Sequence, residues 1–255
     1  MIYKLFNLFT HQYTIQELKT FMENNAETVQ KNIPTNCKIL IIDDMIETSD
    51  YPEIFTNDIA YLKNQMNYNI TTKKDLEYVT DVLGYDIIIC DHEGIGFKIL
   101  GKRGNGIQLI KELKKTYPHK VFVLYSSVTF NLSAFNRIKK DVLVWDKTEM
   151  IHNSVEFGED GLVDNIQKAM SIYADPTKYW TEVRNKMIDA DISIHEIAKL
   201  ESSYVKSILK KNASIYSETV KKTSIPTGNG KSPISDYIQA ATSVINTTLS
   251  LLSIL

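Results

Sequence analysis

The sequence predicts a doubly wound α/β fold on a five-stranded parallel sheet, with a helix ahead of it and an all-helical extension behind. Three observations lead there. Short apolar runs recur at 38–42 (KILII), 85–90 (YDIIIC), 121–125 (VFVLY) and 141–145 (DVLVW), with a weaker one at 66–71 (MNYNIT). Helical stretches alternate with them at about 55–65, 73–83, 106–117, 130–139 and 160–173. Such alternation builds parallel sheets with helices on both faces. The central runs are apolar throughout, as strands buried on both sides require.

Taken in order, residues 1–9 are apolar but short, interrupted by Lys4 and Asn7, and lack a small-residue cleavage site. They do not read as a secretory signal, so a cytoplasmic protein is expected. A helix over 14–31 follows. Thr14 and Glu17 have capping-box spacing, and Ile15, Leu18, Phe21 and Met22 recur at helical intervals. Pro34 is expected to stop it. The strand–helix alternation occupies 37–173, and residues 174–255 form the helical extension. Within the extension, Asp175-Pro176 opens a helix, and 191–221 runs without Gly or Pro with a stripe of Ile197, Leu200, Tyr204, Ile208 and Ile215. Residues 225–233 (IPTGNGKSP) are a connector, and 234–255 a last helix with Ile234, Ile238, Ala241, Ile245, Leu252 and Leu255 on its apolar face.

Composition narrows the function. With 29 basic and 31 acidic side chains the net charge is −2, so a protein that coats nucleic acid by charge is excluded. The excess is uneven: −5 over 1–177 and +3 over 178–255. Two cysteines, Cys37 and Cys90, cannot make a disulfide scaffold. Residues 237–255 carry no charge but hold eight Gln, Thr, Ser and Asn side chains between Gln239 and Ser253, too polar for a membrane span.

The residues that end the strands carry the chemistry. The first run ends in Asp43-Asp44, the third in Asp91 and the fourth in Ser126-Ser127; Asp146-Lys147 follows the fifth. In open α/β sheets the working site lies at the carboxyl ends of the strands. Three carboxylates brought together there repel unless they share a proton or hold a cation. A hard divalent ion, Mg²⁺ first, resolves the repulsion through oxygen ligands. A carboxylate nucleophile, a lysine point charge and a hydroxyl beside such an ion make a phosphoryl-accepting site.

In these segments, together with GNGIQLIKELKKTYP (104–118), the chain resembles the receiver domain of response regulators, the CheY-like family, over roughly 37–173. The resemblance implies a flavodoxin-like sheet of order 2-1-3-4-5. It implies Asp91 as phosphoacceptor, Lys147 and Ser126 as contacts to the phosphoryl group, and Mg²⁺ held by Asp43, Asp44, Asp91 and the backbone carbonyl of Glu93. It further implies a bacterial two-component protein with a sensor histidine kinase or His-phosphotransfer partner, and at most a self-catalysed phosphoryl transfer with autodephosphorylation. Three departures stand out. The loop after Asp91 (HEGIGFKILGKRGN) is several residues longer than usual. Thr148 replaces the proline that usually follows the lysine. Val144, with Trp145 beside it, stands where the family's switch aromatic falls.

The bland readings are a strand-ending Asp pair, a solvated Lys147, and a pseudo-receiver that keeps the fold without phosphorylation. His92 lacks a second His or Cys at ligand spacing, and Gly94, Gly96, Gly101, Gly104 and Gly106 do not follow the dinucleotide fingerprint, so they read as turn glycines. Haloacid-dehalogenase-type phosphatases space two Asp residues by one at the first strand; here Asp43 and Asp44 are adjacent and the next acid is Glu47. For the output, 192–211 (ISIHEIAKLESSYVKSILKK) fits either a degenerate helix-turn-helix or one amphipathic helix packing on the receiver or on a second copy. The gap between Ala198 and Tyr204 lacks a Gly and is short for a turn. One helix, homodimerisation through the C-terminal helices and no specific nucleic acid are expected.

Overall fold

Five short strands form one parallel sheet: Lys38–Ile42 (β1), Asn69–Lys73 (β2), Ile87–Asp91 (β3), Val121–Ser126 (β4) and Leu143–Asp146 (β5), in the order β2-β1-β3-β4-β5. The computed structural model describes residues 12–102, 104–127, 142–156, 161–223 and 233–253. They divide into two units, one of the residues up to Thr28 with those from Asp175 onward, the other Val29–Ala174.

In the sheet unit, β-strand alternation sorts the side chains. Leu40, Ile42, Ile88, Cys90, Phe122 and Leu124 bury one face against Ile107, Ile110 and Leu113 of helix Gly106–Thr116. Ile39, Ile41, Ile87, Ile89 and Val123 fill the other. There helices Glu53–Asn64 and Leu162–Tyr173 pack together, with Phe55, Ile59, Leu62, Ile166 and Met170 buried. Both faces are covered, as the predicted doubly wound class requires.

Several boundaries depart from the sequence reading, each for a local reason. The helix expected over 14–31 is two, Ile15–Asn24 and Ala26–Asn36. Its capping box is present, Glu17 N–H donating to Thr14 Oγ1 at 3.3 Å and Thr14 N–H to the Glu17 carboxylate at 2.7 Å. Asn25 breaks it by donating its side-chain amide to Phe21 O at 2.7 Å. Pro34 does not stop the second helix, which ends just beyond it at Asn36. The weak strand at 66–71 is shifted to Asn69–Lys73 because Asn67 adopts φ +58° and turns the chain. No helix fills 73–83 beyond a 3₁₀ turn at Val79–Val82. There Asp81 accepts from Glu77 and Tyr78 N–H at 2.9 and 3.2 Å, and Asp75 from Leu76 and Gly96 N–H at 2.8 and 2.7 Å. Carboxylates thus satisfy donors that a helix would have used. An unanticipated helix, Lys147–Glu156, starts where Asp146 accepts from Thr148 and Glu149 N–H. The helix expected at 130–139 lies outside the described residues.

His119, between helix Gly106–Thr116 and β4, has its Nδ1 enclosed without a hydrogen-bond partner. Burial first, then the Lys120 ammonium, lower its pKa to about 4. Between that value and the ordinary 6.5 the unfolded chain binds a proton that the folded one refuses, so acid favours unfolding there. Stability should fall by about 2–3 kcal/mol as pH drops from 7 to 4. In urea titrations across that range, His119→Gln should lose this component of the slope.

The second unit is helical: Ile15–Asn24 with Pro176–Asp189, Ile194–Leu209, Ser214–Val220 and Pro233–Leu251. Trp180 stacks on Tyr204 at 4.7 Å between ring centroids, and Tyr216 meets both edge-on. The polar ends of these rings are satisfied: Trp180 Nε1 donates to Glu201, Tyr204 to Pro176 O and Tyr216 to Ile238 O. The stripe read over 191–221 breaks at Lys210–Ala213, where Lys211 has φ +50°. Ile197, Leu200, Tyr204 and Ile208, and on the last helix Ile234, Ile238, Ala241, Ile245 and Leu252, are all buried within the single chain. The homodimer expected from these apolar positions has no support in them, because the chain covers them itself. Among the described residues no helix is long and apolar enough to cross a membrane.

Candidate functional site

Parallel pairing sets the site. Register aligns Ile42 of β1 with Cys90 of β3, and Asp91 with Tyr125 of β4. One residue beyond β1, Asp43 therefore stands beside Asp91, on the sheet face to which Tyr125 also belongs. Asp43 is held there by its N–H, which donates to Lys73 O at 3.0 Å. Ser126 ends β4 opposite Asp146 and is buried.

Lys147 joins the carboxylates. Its Nζ donates to Asp43 Oδ2 at 2.7 Å and to Asp91 Oδ2 at 2.8 Å, and it lies 4.2 Å from the centroid of the Tyr125 ring. It is 6% exposed, so the bland reading of a solvated surface lysine does not hold. It is the first residue of helix Lys147–Glu156, whose start is capped by Asp146. Asp43 is wholly buried and accepts from Tyr125 O–H at 2.6 Å on Oδ2 and from Met45 N–H at 3.0 Å on Oδ1. Asp91 accepts from His92 N–H at 2.6 Å on Oδ1. Burial pushes the Asp91 carboxyl above its ordinary value, Asp43 adds to this, and the Lys147 ammonium pulls the other way.

Asp43, Asp44 and Asp91 each offer a carboxylate oxygen within 4.8 Å of the others. Three hard, closely spaced anionic oxygens with one ammonium against them fit a divalent cation of the Mg²⁺ type. Glu93 is exposed, its carboxylate outside this group; the role that the resemblance implies for it uses only its backbone carbonyl.

Two glycines, read as ordinary turn residues, prove to be built into the site. Gly94 has φ +71°, and a Cβ there would collide with the Asp44 carboxylate. Gly106 begins helix Gly106–Thr116, and a Cβ there would strike the carbonyl of Asp91. Gly94→Ala should cost about 1–2 kcal/mol in thermal unfolding from the left-handed backbone alone. Because it displaces Asp44, it should also weaken Mg²⁺ binding in calorimetry; wild-type affinity would show that Asp44 is not a ligand.

Two tyrosines were not singled out in the sequence. Tyr125 was visible in principle, since alternation along β4 puts it in phase with Asp91. Tyr51 was not, because it lies on the β1–helix segment, whose course only folding decides. It is buried, and its phenol lies beside that of Tyr125. Burial raises Tyr51 to about 12 and Tyr125 well above its ordinary value, so both phenols stay protonated.

No family model and no characterised protein matches this sequence. Among solved structures it is similar to a response regulator from Burkholderia pseudomallei with a phosphorylated aspartic acid, calcium ion and citrate. Identity there is 12%, covering 74% of this chain and 99% of that one, with a TM-score of 0.31. It is also similar to RcsB from Salmonella enterica serovar Typhimurium bound to promoter P1flhDC with phosphomimetic BeF₃⁻: 17% identity, 71% and 93% covered, TM-score 0.33. A further RcsB–DNA complex has 14% identity, 85% and 92% covered, and a TM-score of 0.32.

Proposed function

We propose that this chain is a response regulator whose sheet unit accepts a phosphoryl group on Asp91. The observation that carries the reading is the Lys147 ammonium bridging Asp43 and Asp91 beside Asp44, at the carboxyl edge of a sheet ordered 2-1-3-4-5. An Asp91 oxygen attacks the phosphorus of a phosphohistidine on a sensor kinase or His-phosphotransfer partner. The P–O bond forms, the P–N bond breaks, and the imidazole nitrogen keeps the electron pair and takes a proton. Lys147 orients Asp91 before transfer and neutralises a phosphoryl oxygen after it. Ser126 supplies a hydroxyl to another. A cation of the Mg²⁺ type, held by Asp43, Asp44, Asp91 and the Glu93 carbonyl, would supply charge neutralisation at the phosphoryl oxygens.

The helical unit is the output, acting through association with another protein. Residues 194–209 are one helix with no turn between Ala198 and Tyr204, so the helix-turn-helix considered for 192–211 has no second helix within that stretch. The test of the phosphoryl reading is intact-mass spectrometry of the chain after incubation with acetyl phosphate and Mg²⁺. A single phosphoryl adduct is expected. No adduct at saturating donor and Mg²⁺ would leave the pseudo-receiver reading in its place.

A further inference from the structure

Asp43 and Asp44 are adjacent in the chain, yet their carboxylates are treated very differently. Asp43 is wholly buried and takes three donors: the Tyr125 hydroxyl and the Lys147 ammonium on Oδ2, and the Met45 amide on Oδ1. Asp44 is half-buried, packs against Gly94 and receives none of these donors. A carboxylate oxygen has two lone pairs directed for hydrogen bonding, and on Asp43 Oδ2 both are engaged. A cation that took this oxygen directly would have to displace the phenol or the ammonium.

Tyr125 reaches this oxygen because of its register. It is the residue opposite Asp91 on the neighbouring strand, and its side chain crosses to Asp43 on the far side of β3. On the way its ring comes to lie 4.2 Å from Lys147 Nζ. One aromatic side chain therefore touches both partners of the Asp43–Lys147 pair, its hydroxyl the anion and its face the cation.

We propose that Tyr125 is a positioning residue that holds Asp43 Oδ2 for Lys147 and away from the cation. This inference rests on the phosphoryl-acceptor reading above. The phenol orients the Asp43 carboxylate toward Lys147 and withholds Oδ2 from the cation, whereas Oδ1, which accepts from Met45 N–H, is not withheld. When Lys147 turns to a phosphoryl group on Asp91, the same phenol keeps the buried Asp43 charge hydrogen-bonded. A buried carboxylate that loses a donor without replacement is costly, so the hydroxyl stabilises the phosphorylated arrangement as well as the resting one.

Isothermal titration of Mg²⁺ into the full chain, without phosphodonor, tests this. Tyr125→Phe keeps the ring and deletes the competing donor. It should bind Mg²⁺ about tenfold more tightly, the scale set by one hydrogen bond to a charged group. In an Asp43→Asn background the same substitution should change the affinity by less than about twofold, because the shared carboxylate is gone. Unchanged or weaker binding in Tyr125→Phe, or an equal effect in both backgrounds, overturns the assignment and makes Tyr125 a packing residue. Should Tyr125→Phe fail to fold, 3-fluorotyrosine placed at 125 preserves the shape and strengthens the donor. Weaker Mg²⁺ binding then supports the proposal, and unchanged or tighter binding overturns it. A wild-type chain that binds no Mg²⁺ overturns the cation site of the parent reading and this inference with it. Wild-type binding that Tyr125→Phe leaves unmoved defeats the inference alone.

Discussion

Asp91→Asn is expected to gain no phosphoryl group from acetyl phosphate under conditions in which the wild-type chain is fully labelled. The substitution keeps the size and planar shape of the side chain and replaces the attacking oxygen's charge with a neutral amide, so the nucleophile is lost while packing is kept. Asp91 is nearly buried, and burial raises its carboxyl; Asn at this position removes an awkward charge and should not destabilise the fold. The two effects separate cleanly in one preparation. Intact mass reports labelling, and thermal unfolding reports integrity. Labelling of Asp91→Asn at the wild-type level would move the acceptor elsewhere, with Asp43 and Asp44 the next carboxylates to substitute.

Lys147→Met should lower stability by about 3 kcal/mol in Mg²⁺-free buffer. A solvated lysine would contribute about 0–1 kcal/mol, but this ammonium is enclosed between two buried carboxylates. Removing one member of a buried charge cluster leaves the others uncompensated, typically at about 3–5 kcal/mol. Methionine fills the aliphatic volume, so the loss reports charge rather than a cavity. Saturating Mg²⁺ should restore at least half of it, since a cation replaces the missing positive charge among Asp43, Asp44 and Asp91. Urea titrations with and without Mg²⁺ give both numbers. An unfolding midpoint that moves neither with the substitution nor with the cation would mean that water already relieves these carboxylates.

Much of the fold was legible because it depends on local pattern. Within the KILII and YDIIIC runs, Ile39–Ile42 and Ile87–Cys90 are uninterrupted apolar stretches, which is the condition for burial on both faces, and both become central strands. Asp43, Asp44, Asp91, Ser126 and Lys147 could be placed at one edge from sequence because parallel strands all end on the same side. Positions whose structure depends on competing hydrogen bonds were less legible. Asp75 holds the Leu76 backbone donor, and Asp81 those of Glu77 and Tyr78, which the helical pattern of 73–83 assigns to a helix. Asn25 likewise ends a helix that hydrophobic spacing would continue.

The division between the two sources follows from the range of the forces. By itself the sequence determined the doubly wound class, the strand-end carboxylates and the capping of the first helix, because each is set by residues a few positions apart. Only the tertiary structure decided three further things. It buried Lys147, by starting a helix at that residue and closing two carboxylates on it. It brought the Tyr125 hydroxyl to Asp43, across an intervening strand and 82 residues of chain. It gathered the N-terminal helix into one unit with the C-terminal helices, where the apolar stripes expected to seek a second copy find their cover within the chain. Contacts between distant segments are fixed by register and packing, which no local spacing encodes.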